Sequence, residues 1–335
     1  MKIKLKNCEI TVGASISDLA KYVKPGRTVI VTDSNVKRLY GDRLLNEQLI
    51  ILKPGEENKT RETVIEIQDK LLELEFDRSS LLVGVGGGVV TDISGYVAAT
   101  YMRGMDFGFI PTTLLAQVDA AVGGKNGVNV RNYKNAVGTI MQPRFVLCDV
   151  TVLHTLPDSE MRNGYAEIIK HAAIASRDAF EYLEKAITLR PDDRTMEEIV
   201  SQSIRIKSEI VGKDETEKEE RMKLNFGHTL GHAIETLTRV SHGEAIAIGM
   251  VAESTISVKR GLMKKEDRDR IEALLKKIGL PTAATANRGR MMDVIRRDKK
   301  RRGDVIRMPV LDGIGNARIV DVRIDELEAA INDMY

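Results

Sequence analysis

The fold is decided by residues 81–92, which read Leu81-Leu-Val-Gly-Val-Gly-Gly-Gly-Val-Val-Thr-Asp92. The apolar run predicts a buried strand, and the segment after the glycines can be helical. Glycine permits the tight turn between them, and the N-terminus of a following helix offers amide hydrogens to a pyrophosphate. The stretch therefore predicts a dinucleotide site. The strict fingerprint would need a glycine where Val89 stands, so a purely structural turn is the alternative.

Acidic and amide side chains outside this stretch support the nucleotide interpretation. Asp33 and Asn35 end the first predicted strand in Val-Thr-Asp-Ser-Asn, where they could address a ribose hydroxyl. Asp106 competes with them, because it follows the glycines at about the expected twenty residues. Spacing alone leaves both possibilities open.

Short apolar runs alternate with amphipathic stretches through the first half of the chain. The predicted strands are 29–32, 49–52, 81–85, 107–110 and 145–147, and 60–75 has helical periodicity. Such alternation is typical of a parallel sheet wrapped by helices. After Asp149, helices are predicted to begin near Ser159, Thr195, Met222, Glu244, Lys265 and Ile324, with a strand pair at 305–311 and 317–322. We therefore expect an α/β domain at 1–155 and a mainly helical domain at 156–335.

Composition excludes several classes of partner. The 335 residues are 42% apolar and 30% charged, enough for one large or two ordinary domains. Lys plus Arg (51) nearly cancel Asp plus Glu (49), so we expect no nucleic-acid or membrane partner. The N-terminus lacks the apolar run of a signal peptide, which predicts a cytoplasmic protein. Cys8 and Cys148 stand in strand-like contexts, and we expect both to be small core residues.

A second glycine-rich stretch, at 122–129, reads Val122-Gly-Gly-Lys-Asn-Gly-Val-Asn129 and precedes Tyr133-Lys-Asn135. Its two lysines and three side-chain amides, in a loop with backbone freedom, suit a ligand rich in oxyanions. An ordinary surface loop with lysines is the alternative.

Three of the five histidines fall between positions 228 and 242. On one helix, Arg221, Asn225, His228 and His232 would have offsets of 0, 4, 7 and 11 and would form a narrow polar stripe. A polar stripe on a buried helix needs partners, which a metal or another ligand supplies. A hydrogen-bonded core network without metal is the alternative.

The best carboxylate to complete a metal site lies in Asn163-Gly-Tyr-Ala-Glu-Ile-Ile-Lys-His171. Glu167 shares a helix face with Lys170 and His171. Taken alone, Glu167 with Lys170 would be an exposed ion pair of about half a kcal/mol. Spacing does not decide whether His171, His232 or His242 joins His228.

These motifs together resemble the 3-dehydroquinate synthase family of sugar phosphate cyclases, within the wider group of glycerol dehydrogenase and iron-dependent alcohol dehydrogenases. The resemblance spans roughly residues 25 to 310. Its most specific stretches are 86–92, 119–125 with 134–135, 164–170, 224–232 and 242–244.

The resemblance implies a Rossmann-like NAD-binding domain, a helical metal- and substrate-binding domain, and a homodimer. It assigns zinc or cobalt to Glu167, His228 and His242. It implies NAD contacts at Asp33, Asn35, Glu56, Lys59, Gly86, Gly87, Gly88, Asp92, Thr112 and Thr113, with Lys125 and Asn135 close to both ligands. The family's substrate positions correspond to Asp119, Lys134, Lys170, Lys207, Arg221, Asn225 and His232, with one of Lys299 and Lys300. Arg103 corresponds to an arginine that reaches the phosphate in the partner subunit's site.

The implied activity is that of a phosphate-eliminating lyase of the shikimate pathway. Its substrate, 3-deoxy-D-arabino-heptulosonate 7-phosphate, carries a carboxylate and a phosphate that the basic residues would neutralise. Transient oxidation by NAD at C5, phosphate elimination, reduction and an intramolecular aldol step would give 3-dehydroquinate without net oxidation. The alternatives are another sugar phosphate cyclase or a metal-dependent polyol dehydrogenase of the glycerol dehydrogenase type. A noncatalytic NAD-binding protein is a third.

Overall fold

The computed structural model describes residues 1–23, 25–44, 48–131, 133–238, 240–284, 288–296 and 301–333. The chain divides into two compact units. The first unit contains Met1–Leu156 and Met196–Ser208, and the second contains Pro157–Thr195 and Glu209–Tyr335. The sequence predicts that Met196–Ser208 belongs to the second domain. The contacts of this segment instead group it with the first unit. Lys299 and Lys300 lie outside the described residues.

The first unit is built on a seven-stranded sheet and a two-stranded hairpin. Its strands are β1 (Lys2–Leu5), β2 (Cys8–Val12), β3 (Thr28–Asp33), β4 (Gln48–Leu52), β5 (Leu81–Gly86), β6 (Asp106–Pro111), β7 (Lys125–Val130), β8 (Tyr133–Ile140) and β9 (Phe145–Cys148). Every run predicted as a strand in the first half is confirmed within one of these. The central strands are buried on both faces, which is why they read as continuous apolar runs. Cys8 and Cys148 are buried as expected.

The order of the large sheet is β1-β2-β9-β6-β5-β3-β4. The pairs from β2 to β4 are parallel, and only the edge strand β1 runs antiparallel to its neighbour. The chain runs from β3 outward to β4 and then returns past β3 to β5, so the winding reverses between β3 and β5. Ligands of open parallel sheets bind outside the carboxyl ends of the strands at such a reversal.

Three α-helices of the first unit come after β3, β4 and β5 along the chain. They are α1 (Ser34–Tyr40), α2 (Arg61–Glu73) and α3 (Gly88–Thr100). The predicted helix at 60–75 is confirmed as α2, which buries Val64, Ile67 and Leu71 at helical spacing. Its N-cap is Thr60, whose hydroxyl accepts a hydrogen bond from the amide of Thr63.

The glycine-rich stretch at 122–129 is mostly a strand, so its prediction as a loop is wrong. β7 pairs antiparallel with β8, and Gly127 stands opposite Gly138. A Cβ on Gly138 would lie 2.2 Å from the Asn126 carbonyl oxygen. Gly127 and Gly138 therefore allow the two paired strand backbones to lie close together, rather than giving a loop conformational freedom.

The rest of the chain is mainly helical. Its elements are α4 (Asp158–Ala175), α5 (Arg177–Ala186), α6 (Asp193–Lys213), α7 (His228–Leu237), α8 (His242–Lys259), α9 (Lys265–Lys277), α10 (Arg288–Arg296), β10 (Arg301–Arg302), β11 (Val305–Leu311), β12 (Ala317–Arg323) and α11 (Ile324–Asn332). The predicted fold class, a parallel α/β domain with a mainly helical domain, is confirmed. So is the predicted strand pair, as β11 and β12. In the part of the chain described, no helix is both long enough and apolar enough to cross a membrane.

Helix α8 forms the centre of the second unit. It is apolar on almost every side, as expected of a helix surrounded by others. It packs against α4, α7, α9 and α11. Its side chains Ile248 and Ile256 join Met308, Val322 and Leu327 in the apolar core.

The predicted continuous helix through Arg221, Asn225, His228 and His232 is wrong. Arg221 and Asn225 lie on a 3-10 helix, Glu220–Asn225, and α7 begins only at His228. Between them Gly227 takes a left-handed φ of 79°. A Cβ there would lie 2.9 Å from the carbonyl oxygen of Ile246 on α8. The chain turns at Gly227 because only glycine tolerates both that dihedral angle and that approach.

Candidate active site

One carboxylate and two imidazoles meet in the second unit. Glu167, on α4, is 0% exposed, and the two histidines are the first residues of α7 and α8. The Nε2 atoms of His228 and His242 lie 3.6 and 3.4 Å from Oε1 of Glu167. Two atoms bound to one metal at about 2.1 Å in tetrahedral geometry would be roughly 3.4 Å apart. The three side chains therefore fit a divalent metal ion.

Close helix packing brings these ligands together. A Cβ on Gly243 would lie 2.5 Å from Cα of Asn163, so α8 touches the backbone of α4. The side-chain oxygen of Asn163 also accepts a hydrogen bond from the Gly243 amide at 3.0 Å. A Cβ on Gly249 would lie 2.0 Å from the carbonyl oxygen of Gly227. The backbone of α8 therefore also lies against the backbone at the start of α7.

The far side of each imidazole faces an oxygen. Nδ1 of His228 lies 3.2 Å from the carbonyl oxygen of Phe226, and Nδ1 of His242 lies 3.6 Å from Oε2 of Glu235. A proton on Nδ1 of His228 would donate to that carbonyl and leave the Nε2 lone pair for a metal, a common arrangement for histidine ligands. The tautomer is inferred from this contact.

Burial and neighbouring charges set the protonation of the two histidines. Burial, reinforced by the Lys170 ammonium, holds the pKa of His228 well below its usual value, which favours the neutral form that binds metals. Burial also acts to lower the pKa of His242. Hydrogen bonding to Glu167 and Glu235 outweighs it and raises that pKa to about 9. Metal binding at His242 would then release a proton at neutral pH.

His232 differs from the other two histidines in its exposure. Its ring meets the ring of His228 edge-on at 5.1 Å, and its side chain is exposed. Ligand atoms of Glu167, His228 and His242 all lie within 4.8 Å of one another, and His232 adds none to this group. This geometry favours His242 over His232 as the partner of His228.

Two cations are buried in this unit. Lys170 is 2% exposed and forms an ion pair with Oε2 of Glu167, so the interpretation of this pair as a surface contact is wrong. Arg221 is equally buried and donates from Nη1 to the carbonyl oxygen of Glu215 at 2.7 Å. Asn225 donates to Oε1 of Glu217 at 2.6 Å, a carboxylate that the sequence did not single out.

In the first unit, the glycine cluster lies at the reversal between β3 and β5. Gly86 ends β5, and Gly87 is the N-cap of α3 without a side-chain cap. A Cβ on Gly87 would lie 2.9 Å from the side chain of Thr113. The turn is thus narrow, and the first amides of the 13-residue helix α3 are available to an anion. A Cβ on Gly88 would make only ordinary contact.

The two acidic residues that could bind the ribose lie at opposite ends of the parallel strands. Asp33 ends β3 beside the reversal, where its Oδ1 accepts hydrogen bonds from the amide of Asn35 at 2.8 Å and from the next amide. Asp106 begins β6 opposite Leu81 and binds Arg144 at 2.7 Å. Since the strands are parallel, Asp106 lies at their amino ends, whereas the glycines lie at the carboxyl ends.

A hydrogen-bond network around the buried Lys59 joins four of the predicted NAD residues. Nζ of Lys59 donates to Oδ2 of Asp92 and, at 2.6 Å, to Oδ1 of Asn135. Burial raises the pKa of Asp92, and the Lys59 ammonium opposes that effect. Asn129 donates to Glu56 at 2.8 Å and accepts from the amide of Asn135 at 2.9 Å. The sequence had marked Asn129 as one of the three amides of the second glycine-rich stretch, but not as an NAD residue.

The remaining predicted site residues of the first unit make other contacts or are exposed. Lys207, which is buried, donates to the side chain and the carbonyl oxygen of Asp119, both at 2.6 Å, on the π-helical turn Ala116–Ala120. Thr112 is buried after β6, and the Thr113 hydroxyl accepts from the amide of Ala116 at 3.1 Å. Three cations have exposed side chains: Lys125, Lys134 and Arg103. Both Met102 and Arg103 have left-handed φ, at 47° and 66°.

Comparison with known proteins covers almost the whole chain. Residues 49–163 match the sequence model of the 3-dehydroquinate synthase N-terminal domain, and residues 164–301 match that of the C-terminal domain. The chain belongs to the 3-dehydroquinate synthase family. A 3-dehydroquinate synthase of Thermodesulfovibrio yellowstonii is 42% identical over 320 residues, which cover 91% of this chain and 89% of the relative.

Solved structures of related cyclases share the family's two-domain fold. A 2-deoxy-scyllo-inosose synthase complexed with carbaglucose-6-phosphate, NAD+ and Co2+ superposes with a TM-score of 0.90 at 26% identity, covering 100% of both chains. The 2-epi-5-epi-valiolone synthase of Streptomyces hygroscopicus, with NAD+ and Zn2+ bound, gives 0.89 at 28% identity, covering 99% of this chain and 98% of the other.

Proposed function

We propose that this chain is a 3-dehydroquinate synthase, which converts 3-deoxy-D-arabino-heptulosonate 7-phosphate to 3-dehydroquinate and phosphate in the shikimate pathway. The observation that carries the proposal is the metal-ligand geometry of Glu167, His228 and His242 in a chain of this family. Three protein ligands leave coordination positions open for substrate oxygens, as a catalytic metal needs.

The proposed cofactors are NAD and a divalent metal, zinc or cobalt. NAD would bind at the reversal between β3 and β5, with its pyrophosphate at the amides that begin α3 and its ribose near Asp33. When bound, NAD supplies reversible hydride acceptance at C5 of the substrate, and the metal supplies Lewis-acid polarisation of substrate oxygens. The network of Glu56, Lys59, Asp92 and Asn135 would hold the walls of the nucleotide site.

The buried cations favour a phosphorylated acid as substrate. Burying an ammonium or guanidinium costs desolvation energy even when the group is paired, as Lys170 is with Glu167, so a buried cation in a site is evidence of a use for its charge. Lys170 and Arg221 would orient and partly neutralise an anionic substrate, and a dehydrogenase of a neutral polyol would have no use for them. On the family resemblance, we also propose Asn225, His232, Asp119, Lys125, Lys134 and Lys207 as substrate residues.

The decisive experiment follows phosphate, NADH and the carbocycle during incubation with the heptulosonate phosphate, NAD and metal. We expect phosphate and 3-dehydroquinate in equal amounts without accumulation of NADH, because the hydride returns to the substrate. Lys170→Met should lose turnover, while Lys185→Ala, which removes an exposed lysine of α5, should not. Stoichiometric NADH without phosphate would instead indicate a simple dehydrogenase.

We also propose a cytoplasmic homodimer in which Arg103 acts in the partner's site. Two consecutive left-handed residues, Met102 and Arg103, hold this exposed arginine in a conformation that costs about 1–3 kcal/mol per residue, which supports a functional role. Mixing Arg103→Ala with Lys170→Ala subunits should restore part of the activity, because one shared site regains both groups. Subunit exchange without recovery would argue for action within one chain.

A further inference from the structure

A second buried carboxylate lies one helical layer behind the proposed metal ligands. Glu253, in the middle of α8, is 0% exposed. Its Oε2 accepts a hydrogen bond from the amide of Gly227 at 2.7 Å, and its Oε1 accepts one from the amide of Leu230 at 3.2 Å. The carboxylate of α8 thus caps the N-terminus of the neighbouring helix α7.

This cap comes from another helix because α7 cannot provide its own. A helix usually satisfies its first amides with a serine, threonine, aspartate or asparagine at the N-cap. Here the N-cap is Gly227, whose left-handed φ and contact with α8 exclude any side chain. The negative charge of Glu253 also meets the positive end of the α7 dipole, which offsets part of the cost of burial.

The two capped amides bracket a proposed metal ligand. His228 follows Gly227 directly and stands two positions before Leu230, so both ends of its turn are tied to one rigid carboxylate. The carbonyl that faces Nδ1 of His228 belongs to Phe226, the residue before Gly227. The turn that Glu253 holds therefore sets the position of the ring and of the oxygen that orients it.

We propose that Glu253 is a positioning residue for the metal site: it clamps the turn from Phe226 to Leu230 so that Nε2 of His228 faces Glu167. The inference rests on the proposed function, because it presupposes a metal at Glu167, His228 and His242. Both of these side-chain hydrogen bonds of Glu253 go to backbone amides of this turn, so Glu253 would act on the metal site through His228.

The test compares Glu253→Gln and Glu253→Met with Ser257→Ala. Glutamine keeps the shape and one acceptor, and methionine keeps only the approximate volume. Ser257 is the matched control because it is also buried on α8 but takes no part in the side-chain cap of α7: its hydroxyl accepts from the amide of Leu311 at 3.0 Å and donates to the main-chain carbonyl oxygen of Glu253 at 3.1 Å. Zinc affinity is measured by competition with a chromophoric chelator, and the visible spectrum is recorded after cobalt loading. Melting temperature is measured with excess chelator.

We expect all three variants to melt at lower temperature, because each loses a buried hydrogen bond. Only the Glu253 variants should bind zinc about 10–100-fold more weakly, the usual loss when a group that orients a ligand is removed. They should also shift the cobalt spectrum, with glutamine between wild type and methionine. Glu253→Gln decides the matter if Glu253→Met does not fold.

Wild-type zinc affinity and an unchanged cobalt spectrum in a folded Glu253 variant would show that the carboxylate only stabilises the fold, and would overturn the inference alone. An equal loss of affinity in Ser257→Ala would overturn it as well, since any weakening of α8 would then suffice. A wild-type protein that binds neither zinc nor cobalt would overturn the proposed metal site and this inference together.

Discussion

Truncating His242 or His232 separates two interpretations of the histidine cluster. His242→Ala removes an Nε2 atom 3.4 Å from Glu167, whereas His232→Ala removes an exposed ring that meets His228 edge-on. The His242 side chain is 29% exposed, so its loss leaves little cavity. The capping box of Ser241 and Glu244 still begins α8. Both variants should therefore fold.

The expected loss of metal affinity follows from the number of ligands. Zinc sites with four protein ligands contribute on the order of 10–16 kcal/mol, or about 3–4 kcal/mol per ligand. At about 1.4 kcal/mol per decade, His242→Ala should raise the Kd for zinc roughly 10²–10³-fold. His232 contributes no ligand atom to the group, so His232→Ala should change the Kd less than about tenfold and yet lose turnover.

Metal content after dialysis, measured by mass spectrometry on both folded variants, tests the assignment, and chelator competition supplies the two Kd values. His232→Ala should keep near-stoichiometric metal, and His242→Ala should lose most of it. A metal-free His232→Ala beside a fully loaded His242→Ala would refute the reasoning. His232 would then be the ligand, and α7 would have to rotate from its described position.

Three further predictions concern stability. Lys59→Met should destabilise the protein by about 3 kcal/mol in denaturant titrations, because Asp92 is left buried without its cation; Lys59→Met with Asp92→Leu should recover most of that loss, and no recovery would contradict the pairing argument. Gly227→Ala should cost about 1–3 kcal/mol by the same measurement, since φ is 79° there, and a neutral result would mean that the turn can relax. Hydrogen bonding to Arg260 lowers the pKa of Glu326, so this pair stabilises the fold above the ordinary glutamate pKa and ceases to do so as pH falls through the lower folded pKa. Glu326→Gln should therefore lower the unfolding free energy by up to about 1 kcal/mol at neutral pH, and the two proteins should converge in strong acid; a constant difference at all pH values would exclude an ionic origin.

Local patterns in the sequence were enough for most of the fold. Strands such as β3 and β5 are buried on both faces, so each is a continuous apolar run that no helical period explains. The sequence also predicted the turn from β5 through the glycines into α3. It predicted the hairpin of β11 and β12 as well. The crowding of three histidines within 15 positions, 228–242, indicated the region of the proposed metal site.

Other features depend on contacts that no local pattern contains. Offsets of 0, 4, 7 and 11 fit one continuous helix, and only the backbone of α8 pressing on Gly227 breaks it. The proposal of Asp33 rather than Asp106 for the ribose depends on which end of its strand each acid occupies, because one ends β3 and the other begins β6 in a parallel sheet. The sequence counted Asn129 only among the amides of the second glycine-rich stretch, because its partner Glu56 is 73 residues away in the chain.

The sequence by itself determined most of the strands and helices, because burial imposes a period on neighbouring residues, and it supplied the candidates for the side chains that carry the chemistry. Only the tertiary structure decided which of those side chains meet. Glu167, His228 and His242 come from three helices, and the Glu253 carboxylate reaches α7 across 26 residues of chain. Their proximity depends on glycines that let helix backbones touch, and such packing leaves no periodic trace along the chain.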